Sequence, residues 1–376
     1  MNNKISLLTK ELRNKQQIKD IFADIKPDYD FLDKKFDLIP IMHVCGTHED
    51  TLMKNGLRYL LTQEFPKIKM ISGPGCPVCV SPAQDIDIAI ELSLKVPNAI
   101  ITSYGDMVRA PGSHGSLEYA RQQGASIITV YSILDAISIA KKNPDKEIIF
   151  ISPGFETTAP TTAVELKNHP PLNFSVLSSH RLVPPALEVL VHLPDLQIKG
   201  FILPGHVSVI TGSAYYLSFS DKYHIPCAIA GFEPYDMMLG VRSVLHQLRY
   251  QKAIIDNVYH RAVTEEGNVI AKNIMNEVYQ IVDADWRGLG KFPQSGLEIA
   301  ESYSAWNARI KFRAIIDKVP PISRETPPGC SCPDVVIGKI EPEDCVLFKN
   351  ACTPENPIGP CMVGLEGTCR IRALYS

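Results

Sequence analysis

Ten cysteines stand in this chain, and their placement is uneven. Cys45, Cys76 and Cys79 lie in the N-terminal third and Cys227 stands alone. Cys330, Cys332, Cys345, Cys352, Cys361 and Cys369 crowd the last 50 residues. Thiolates serve as nucleophiles, soft-metal ligands and electron carriers. In a small secreted chain so many cysteines read as a disulfide framework. This chain has 376 residues, and Met1 to Lys19 is polar, basic and without an apolar h-region. The expectation is therefore a cytoplasmic protein whose cysteines do metal or redox work. Their clustering predicts a metal-holding tail and a separate thiol site.

In the tail, Cys330, Cys345, Cys352 and Cys369 are spaced C-x14-C-x6-C-x16-C, with Pro333, Pro342, Pro354, Pro357 and Pro360 between them. Such a loop-rich segment buries little apolar surface, and a metal bonded to four thiolates supplies the missing order. Four-cysteine zinc is the plain alternative to an iron–sulfur cluster. The paired C-x2-C knuckles common in zinc sites are missing, but spacing does not name the metal. Cys332 and Cys361 remain as spare thiols or substitute ligands.

Cys76 and Cys79 form a C-x-x-C. Ser81 reads as an N-cap, Pro82 as the first helical residue and Gln84 as the closing member of a capping box, placing the pair just before a helix. Near a strand-to-helix turn, C-x-x-C reads as a redox dithiol, or as half a zinc site. Cys45 closes a strand-like run, with Thr47 as a cap and His48 three residues on. Adjacent strands lie about 5 Å apart, so Cys45 and the dithiol are expected to line one cleft and suit a soft metal. Glu156, His180, Arg181 and His206 close other strand-like runs. Across an inter-lobe cleft they would serve as acid, base or hydrogen-bond donors, with His114 a weaker candidate.

The elements that must position these residues alternate. Residues 1–38 read as a charged, helical lead-in. Strand-like runs at Ile39–Val44, Ile68–Ile71, Ala99–Ser103 and Ser126–Val130 make a first α/β lobe over 39–145. Runs at Glu147–Ile151, Phe174–Leu177, Gly200–Leu203 and Cys227–Ala230 make a second, similar lobe over 146–249. Alternating strands and helices predict parallel sheets with right-handed crossovers, which take ligands at the carboxyl edge. Residues 265–282 read as one amphipathic helix and 285–296 as a loop, so 250–376 is expected to be an irregular third domain. A net charge of -3 gives no electrostatic case for nucleic acid or an anionic membrane. No apolar run reaches the roughly 18 residues that span a bilayer. A zinc-stabilised nucleotide-binding protein is disfavoured because no G-x-x-x-x-G-K-[ST] is present.

Cys45-Gly46-Thr47-His48, Gly73-Pro74-Gly75-Cys76-Pro77-Val78-Cys79 and Pro153-Gly154-Phe155-Glu156-Thr157-Thr158-Ala159-Pro160 together resemble the HypD family of hydrogenase maturation proteins. So does the tail from Cys352-Thr353-Pro354 through Gly359-Pro360-Cys361-Met362-Val363 to Glu366-Gly367-Thr368-Cys369. The resemblance runs from about residue 40 to the end. It implies a [4Fe–4S] cluster on Cys330, Cys345, Cys352 and Cys369, exchanging electrons with Cys76 and Cys79, and Cys45 as the iron-binding cysteine. It further implies a partner, HypC, that carries iron, and HypE, working with HypF, as the cyanide donor. The product would be the Fe(CN)2CO group of [NiFe] hydrogenases, built on a redox scaffold rather than by a multi-turnover enzyme. A stand-alone iron–sulfur disulfide reductase is the rival reading.

Overall fold

The computed structural model describes residues 14–193 and 196–376. Residues 1–13 of the expected helical lead-in lie outside the described residues. Lys15–Leu32 is a helix, N-capped by Asn14, whose side-chain oxygen accepts from the Gln16 N–H at 2.8 Å. Its Ile21, Ile25, Tyr29 and Leu32 recur at helical spacing and are buried, the side turned to the helix Pro234–Arg249.

All eight expected strands form: β1 (Ile39–His43), β2 (Ile68–Ser72), β3 (Ala99–Ser103), β4 (Ile127–Thr129), β5 (Glu147–Gly154), β6 (Phe174–Arg181), β7 (Gly200–Pro204) and β8 (Cys227–Ala230). Three more follow: β9 (Ile255–Asn257), β10 (Tyr279–Trp286) and β11 (Gly290–Ile299). The chain is α/β with two sheets, in the orders β2-β1-β7-β8-β9 and β10-β11-β6-β5-β3-β4. Every pairing in the first is parallel. In the second, β4, β3, β5 and β6 pair in parallel, and β11 and β10 join antiparallel. Strands β1, β6, β7 and β8 are buried along their whole length, as strands covered on both faces must be, and read accordingly as unbroken runs.

Strand order does not follow the division expected at 145/146. The chain lays down β1 and β2, crosses to the second sheet for β3 to β6, and returns to put β7 beside β1. Strand and helix periodicity marks each element but carries no information about which sheet it joins, so order along the chain stood in for proximity. Nor is 250–299 irregular. The expected helix over 265–282 is Val269–Val278 followed directly by β10, and the expected loop over 285–296 is a hairpin whose strands extend the second sheet. The hairpin was hidden because the outer strand exposes Gln280, Ile281, Asp283 and Asp285, a broken alternation.

The interleaving has one consequence for chemistry. The carboxyl ends of β1, β2, β7 and β8 from one sheet come to the same region as those of β3 and β5 from the other. The tail beyond residue 328 folds over them.

Candidate functional site

Cys45 leaves β1 as the N-cap of the helix Gly46–Lys54, the place expected of Thr47. The Thr47 hydroxyl instead donates to Glu366 Oε1 at 3.2 Å. The turn after β2 runs against Cys45 itself: a Cβ on Gly75 would lie 2.5 Å from the Cys45 nitrogen and 2.6 Å from its carbonyl carbon. Only glycine permits that approach, and it draws the neighbouring Cys76 into the same cleft. From the other flank, β7 delivers His206, stacked on Phe232 with ring centroids 5.0 Å apart. Both His206 ring nitrogens lie 3.9 Å from Cys45 Sγ. Burial, helped by the Glu366 carboxylate, pushes the Cys45 thiol up to about 12, and burial lowers His206 to about 4. Left alone at neutral pH the pair is a thiol beside a neutral imidazole. A soft cation displacing the thiol proton would find a sulfur and a nitrogen donor side by side.

Beneath Cys45 lies a buried charge network that the sequence reading missed. His43 places Nδ1 3.1 Å from the Cys45 carbonyl oxygen and Nε2 2.9 Å from Glu49 Oε2. Arg58 donates to the same carboxylate oxygen at 2.6 Å, and Arg372 of the last helix lies 3.9 Å from the other. Burial works to raise the Glu49 carboxyl, but Arg58 and His43 hold it well below the usual carboxylate range. His48, predicted as a site residue, is fully buried. Its Nε2 donates to the carbonyls of Ala230 and Gly231 at 3.3 and 3.0 Å, which ties the start of this helix to the end of β8. Burial lowers it to about 3, so it is neutral. Its Nδ1 has no partner and remains a free lone pair.

Cys76 and Cys79 are bonded to each other, with Cα atoms 5.3 Å apart. They precede the helix Ala83–Lys95, as expected, and bracket a single turn of their own, Pro77–Val80, in which Cys76 Sγ accepts from the Cys79 N–H at 3.2 Å. Ser81 ends that turn, its hydroxyl donating to the Pro77 carbonyl. The next helix, Ala83–Lys95, is capped from afar by Glu325, which accepts from the Ala83 N–H at 2.9 Å. A cap supplied 242 residues downstream leaves no local signature.

The tail lies on this pair. Cys79 Sγ is 3.8 Å from the Pro360 carbonyl, and a Cβ on Gly364 would lie 2.9 Å from Cys76 Sγ and 3.5 Å from Cys79 Sγ. Leu365 N–H donates to Asp106, at the end of β3, at 2.8 Å, and the Ser72 hydroxyl pairs with that of Thr368 at 2.7 Å. The expected separation between thiol site and tail is therefore corrected: residues 359–369 bridge both sheets and roof the dithiol. Cys76 is 5% exposed, Cys79 1% and Cys45 2%.

The six tail cysteines are gathered. Burial, with the thiols of Cys345, Cys352 and Cys361 around it, pushes Cys330 up to about 12, and Cys369 stands among Cys361, Cys332 and Cys330. The Ile358 N–H donates to Cys352 Sγ at 3.3 Å and the Cys369 N–H to Cys361 Sγ at 3.2 Å. The neighbouring Cys332 and Cys369 thiols hold Cys361 below the ordinary thiol range. Among the described residues no three His, Cys, Asp or Glu side chains converge closely enough to grip a single metal ion. A donor set made only of thiols, crowded in a loop segment with amide N–H groups aimed at sulfur, fits a thiolate-bound iron–sulfur cluster.

The remaining candidates lie apart from Cys45. His180 is held between the hydroxyls of Ser152 and Ser178, each at 3.3 Å, and burial lowers it to about 3. Arg181 donates to the Asp285 carbonyl at 2.8 and 3.0 Å. Glu156 accepts from the Val183 N–H at 3.0 Å, capping the helix Val183–Leu190, and burial raises it to about 7. Its Oε2 has no partner. His114 is exposed, and Cys227 packs inside β8. Of the polar strand-end residues grouped by sequence, only His206 touches Cys45.

Comparison with known proteins places these features in a family. The family model HypD, described as "Hydrogenase formation hypA family", matches residues 17–376. The chain is 41% identical over 345 residues to hydrogenase maturation factor HypD2 of Bradyrhizobium diazoefficiens, covering 89% of this chain and 88% of that protein. It is 40% identical over 339 residues to the hydrogenase expression/formation protein HupD of Azotobacter chroococcum, 88% and 87% of the two chains. It is 39% identical over 345 residues to hydrogenase maturation factor HypD of Cupriavidus necator, 89% of each.

Proposed function

The chain belongs to the HypD family of hydrogenase maturation factors, and from that membership we propose that it is the redox scaffold on which an Fe(CN)2CO group is assembled. The observation that carries the reading is the convergence of three sulfur sites at one sheet edge: Cys45 with His206, the Cys76–Cys79 pair, and the roofing tail with its six cysteines.

In this reading Cys45 takes the iron cargo, its proton leaving as iron binds, and His206, with both ring nitrogens 3.9 Å from Cys45 Sγ, is the nitrogen donor beside it. The cargo arrives on a thiol of HypC, and a thiocyanate-like group on HypE, made with HypF, supplies cyanide. Releasing cyanide from such a group is a two-electron reduction. One thiocyanate and two protein thiols yield one thiol, cyanide, a proton and the Cys76–Cys79 disulfide, so atoms and electrons balance. Cys330, Cys345, Cys352 and Cys369 would hold a [4Fe–4S] cluster, which supplies single electrons at low potential when bound. Cys332 and Cys361 stand among those thiols, Cys332 beside Cys330 and Cys361 beside Cys369. The reductase rival fares worse on one observation: a disulfide 5% and 1% exposed beneath Gly364 offers no face to a foreign protein disulfide.

The test is the infrared spectrum of the complex co-purified with HypC. Cys45→Ala removes one sulfur from a buried site, should cost about 1 kcal/mol of stability, and should abolish the cyanide and carbonyl bands while anaerobic protein stays brown. Intact cyanide bands in that variant would move the iron elsewhere and sink the assignment.

A further inference from the structure

The imidazoles around Cys45 are not all held in the same way. His43 is fixed between the Cys45 carbonyl and Glu49, and His48 on the carbonyls of Ala230 and Gly231. Among the described residues the His206 nitrogens meet only Cys45 Sγ, both at 3.9 Å. A thiolate and an imidazole bound to one first-row metal ion, at about 2.3 and 2.1 Å, stand roughly 3.5–4 Å apart, so the separation suits shared ligation. A histidine that serves a metal is ordinarily aimed by a hydrogen bond on its other nitrogen. His206 has no such bond, yet its ring is only half-buried, so another contact must set its orientation.

That contact is Phe232. The two rings stack with centroids 5.0 Å apart and planes 26° from parallel. Phe232 is itself held firmly. Its carbonyl accepts from the Thr51 hydroxyl at 2.6 Å, and the carbonyl before it accepts from His48 at 3.0 Å. The His48 ring stands 5.2 Å from the phenyl ring, and Tyr259 meets it edge-on at 6.0 Å. Tyr259 is wedged against the turns that leave β7 and β8: a Cβ on Gly205 would lie 2.7 Å from its ring, and one on Gly231 2.6 Å. Those two glycines immediately precede His206 and Phe232. Their missing side chains admit the Tyr259 ring, which packs the two turns against each other.

We propose that Phe232 is a positioning residue: the face of its ring holds the His206 imidazole beside Cys45, ready to serve as nitrogen donor to the metal that Cys45 takes. This rests on the reading of Cys45 and His206 given above. Stacking of two aromatic rings favours one arrangement over its alternatives by about 2- to 12-fold beyond the effect of burial alone. Leucine at 232 keeps apolar volume but presents no ring face; tyrosine keeps the face.

The experiment uses the whole protein co-purified with HypC. The complex is incubated anaerobically with excess 2,2′-bipyridine, passed through a desalting column at timed intervals, and read by the infrared cyanide bands still carried by the protein. Phe232→Leu should lose those bands about 2- to 12-fold faster than the parent, and Phe232→Tyr should restore the parent's rate. A leucine complex without bands from the outset, beside a tyrosine complex that carries them, is the same result at its extreme. A folded leucine variant that holds its bands as long as the parent, or a tyrosine variant that loses them as fast as leucine, overturns the proposal. Should the leucine variant not fold, Phe232→Met, which also lacks a ring, is read by the same rule. His206→Gln separates the two levels of the argument. If it too holds its bands at the parent's rate, His206 is not a donor and the underlying reading has failed; if it loses them quickly while the leucine variant does not, only the role of Phe232 is refuted.

Discussion

Gly364→Ala tests whether the tail really seals the dithiol. Gly364 has φ -67° and ψ 131°, a conformation open to any residue, so the substitution adds a methyl group and no backbone strain. That methyl would lie 2.9 Å from Cys76 Sγ, and the two sulfurs are bonded, so neither can swing away. Contact distances of about 3.5–4.0 Å then require the roof to lift by roughly 0.6–1 Å. Overpacking of this kind costs about 1–3 kcal/mol. The strain is relieved when residues 359–367 lift, so the cost appears as easier local opening. If reduction of Cys76–Cys79 by glutathione waits on that opening, its rate should rise by about 5- to 150-fold. The assay is timed alkylation of anaerobic protein with mass spectrometry, with thermal unfolding followed in parallel. An unchanged rate in a folded Gly364→Ala variant would mean that access to the disulfide does not run through the roof, and the sealing argument would be lost.

Other outcomes follow from the same geometry. Cys352→Ala should give colourless anaerobic protein, because one of the four proposed cluster thiolates is gone; it should also speed alkylation of Cys45, since the destabilised tail is what covers it, and iron retained at parent levels would refute the ligand assignment. Glu156 carries a folded-state value of about 7 against 4.5, a difference of about 3 kcal/mol. The folded state binds that proton more tightly, so its contribution is present below pH 4.5 and is lost as pH rises through 7; Glu156→Gln should therefore gain stability over the parent by about 3 kcal/mol between those limits, and chemical denaturation giving a pH-independent difference would contradict this. Glu49→Gln leaves Arg58 and His43 without their carboxylate at the floor of the Cys45 site and should cost about 3–5 kcal/mol in the same measurement, whereas a cost below about 1 kcal/mol would show the network to be dispensable.

What the sequence made legible and what it hid divide along one line, the reach of the signal. Strand runs such as Ile39–His43 and Gly200–Pro204 are local, and both appear where expected. Cys45, Cys76 and Cys79 could be placed in one cleft because β1 and β2 follow one another in sequence, joined through two short helices, and do pair. His206 was expected, with Glu156, His180 and Arg181, to face the thiols across an inter-lobe cleft; it meets Cys45 within one sheet instead, since nothing local says that β7 returns to lie beside β1. His43, Glu49 and Arg372 escaped notice because a buried ion network is assembled from residues that are each unremarkable in sequence. Thr47, Ser81 and Gln84 were misassigned for the opposite reason: a capping pattern was present, and distant carboxylates of Glu366 and Glu325 took over the local bonds.

Interleaved sheets also bear on why the tail folds back over the sheet edges rather than hanging beyond the second sheet. Two separate lobes would present two carboxyl edges, each with its own motifs, and electrons would have to cross a mobile gap between domains. Here β3 to β6 are laid down between β2 and β7, so the chain crosses between the sheets twice and the edge holding Cys45 is set beside the edge holding Asp106. Residues 359–369 then need span only that fixed seam, tied at Thr47 and Ser72 on one sheet and at Asp106 on the other. The anchors also fix Gly364 against Cys76 and hold Pro360 against Cys79. Under the proposed reading, rigidity across the seam suits a chemistry in which electrons must reach a buried thiocyanate while water and foreign thiols do not. It also makes any change that loosens the roof speed wasteful reduction by small thiols before it harms the fold.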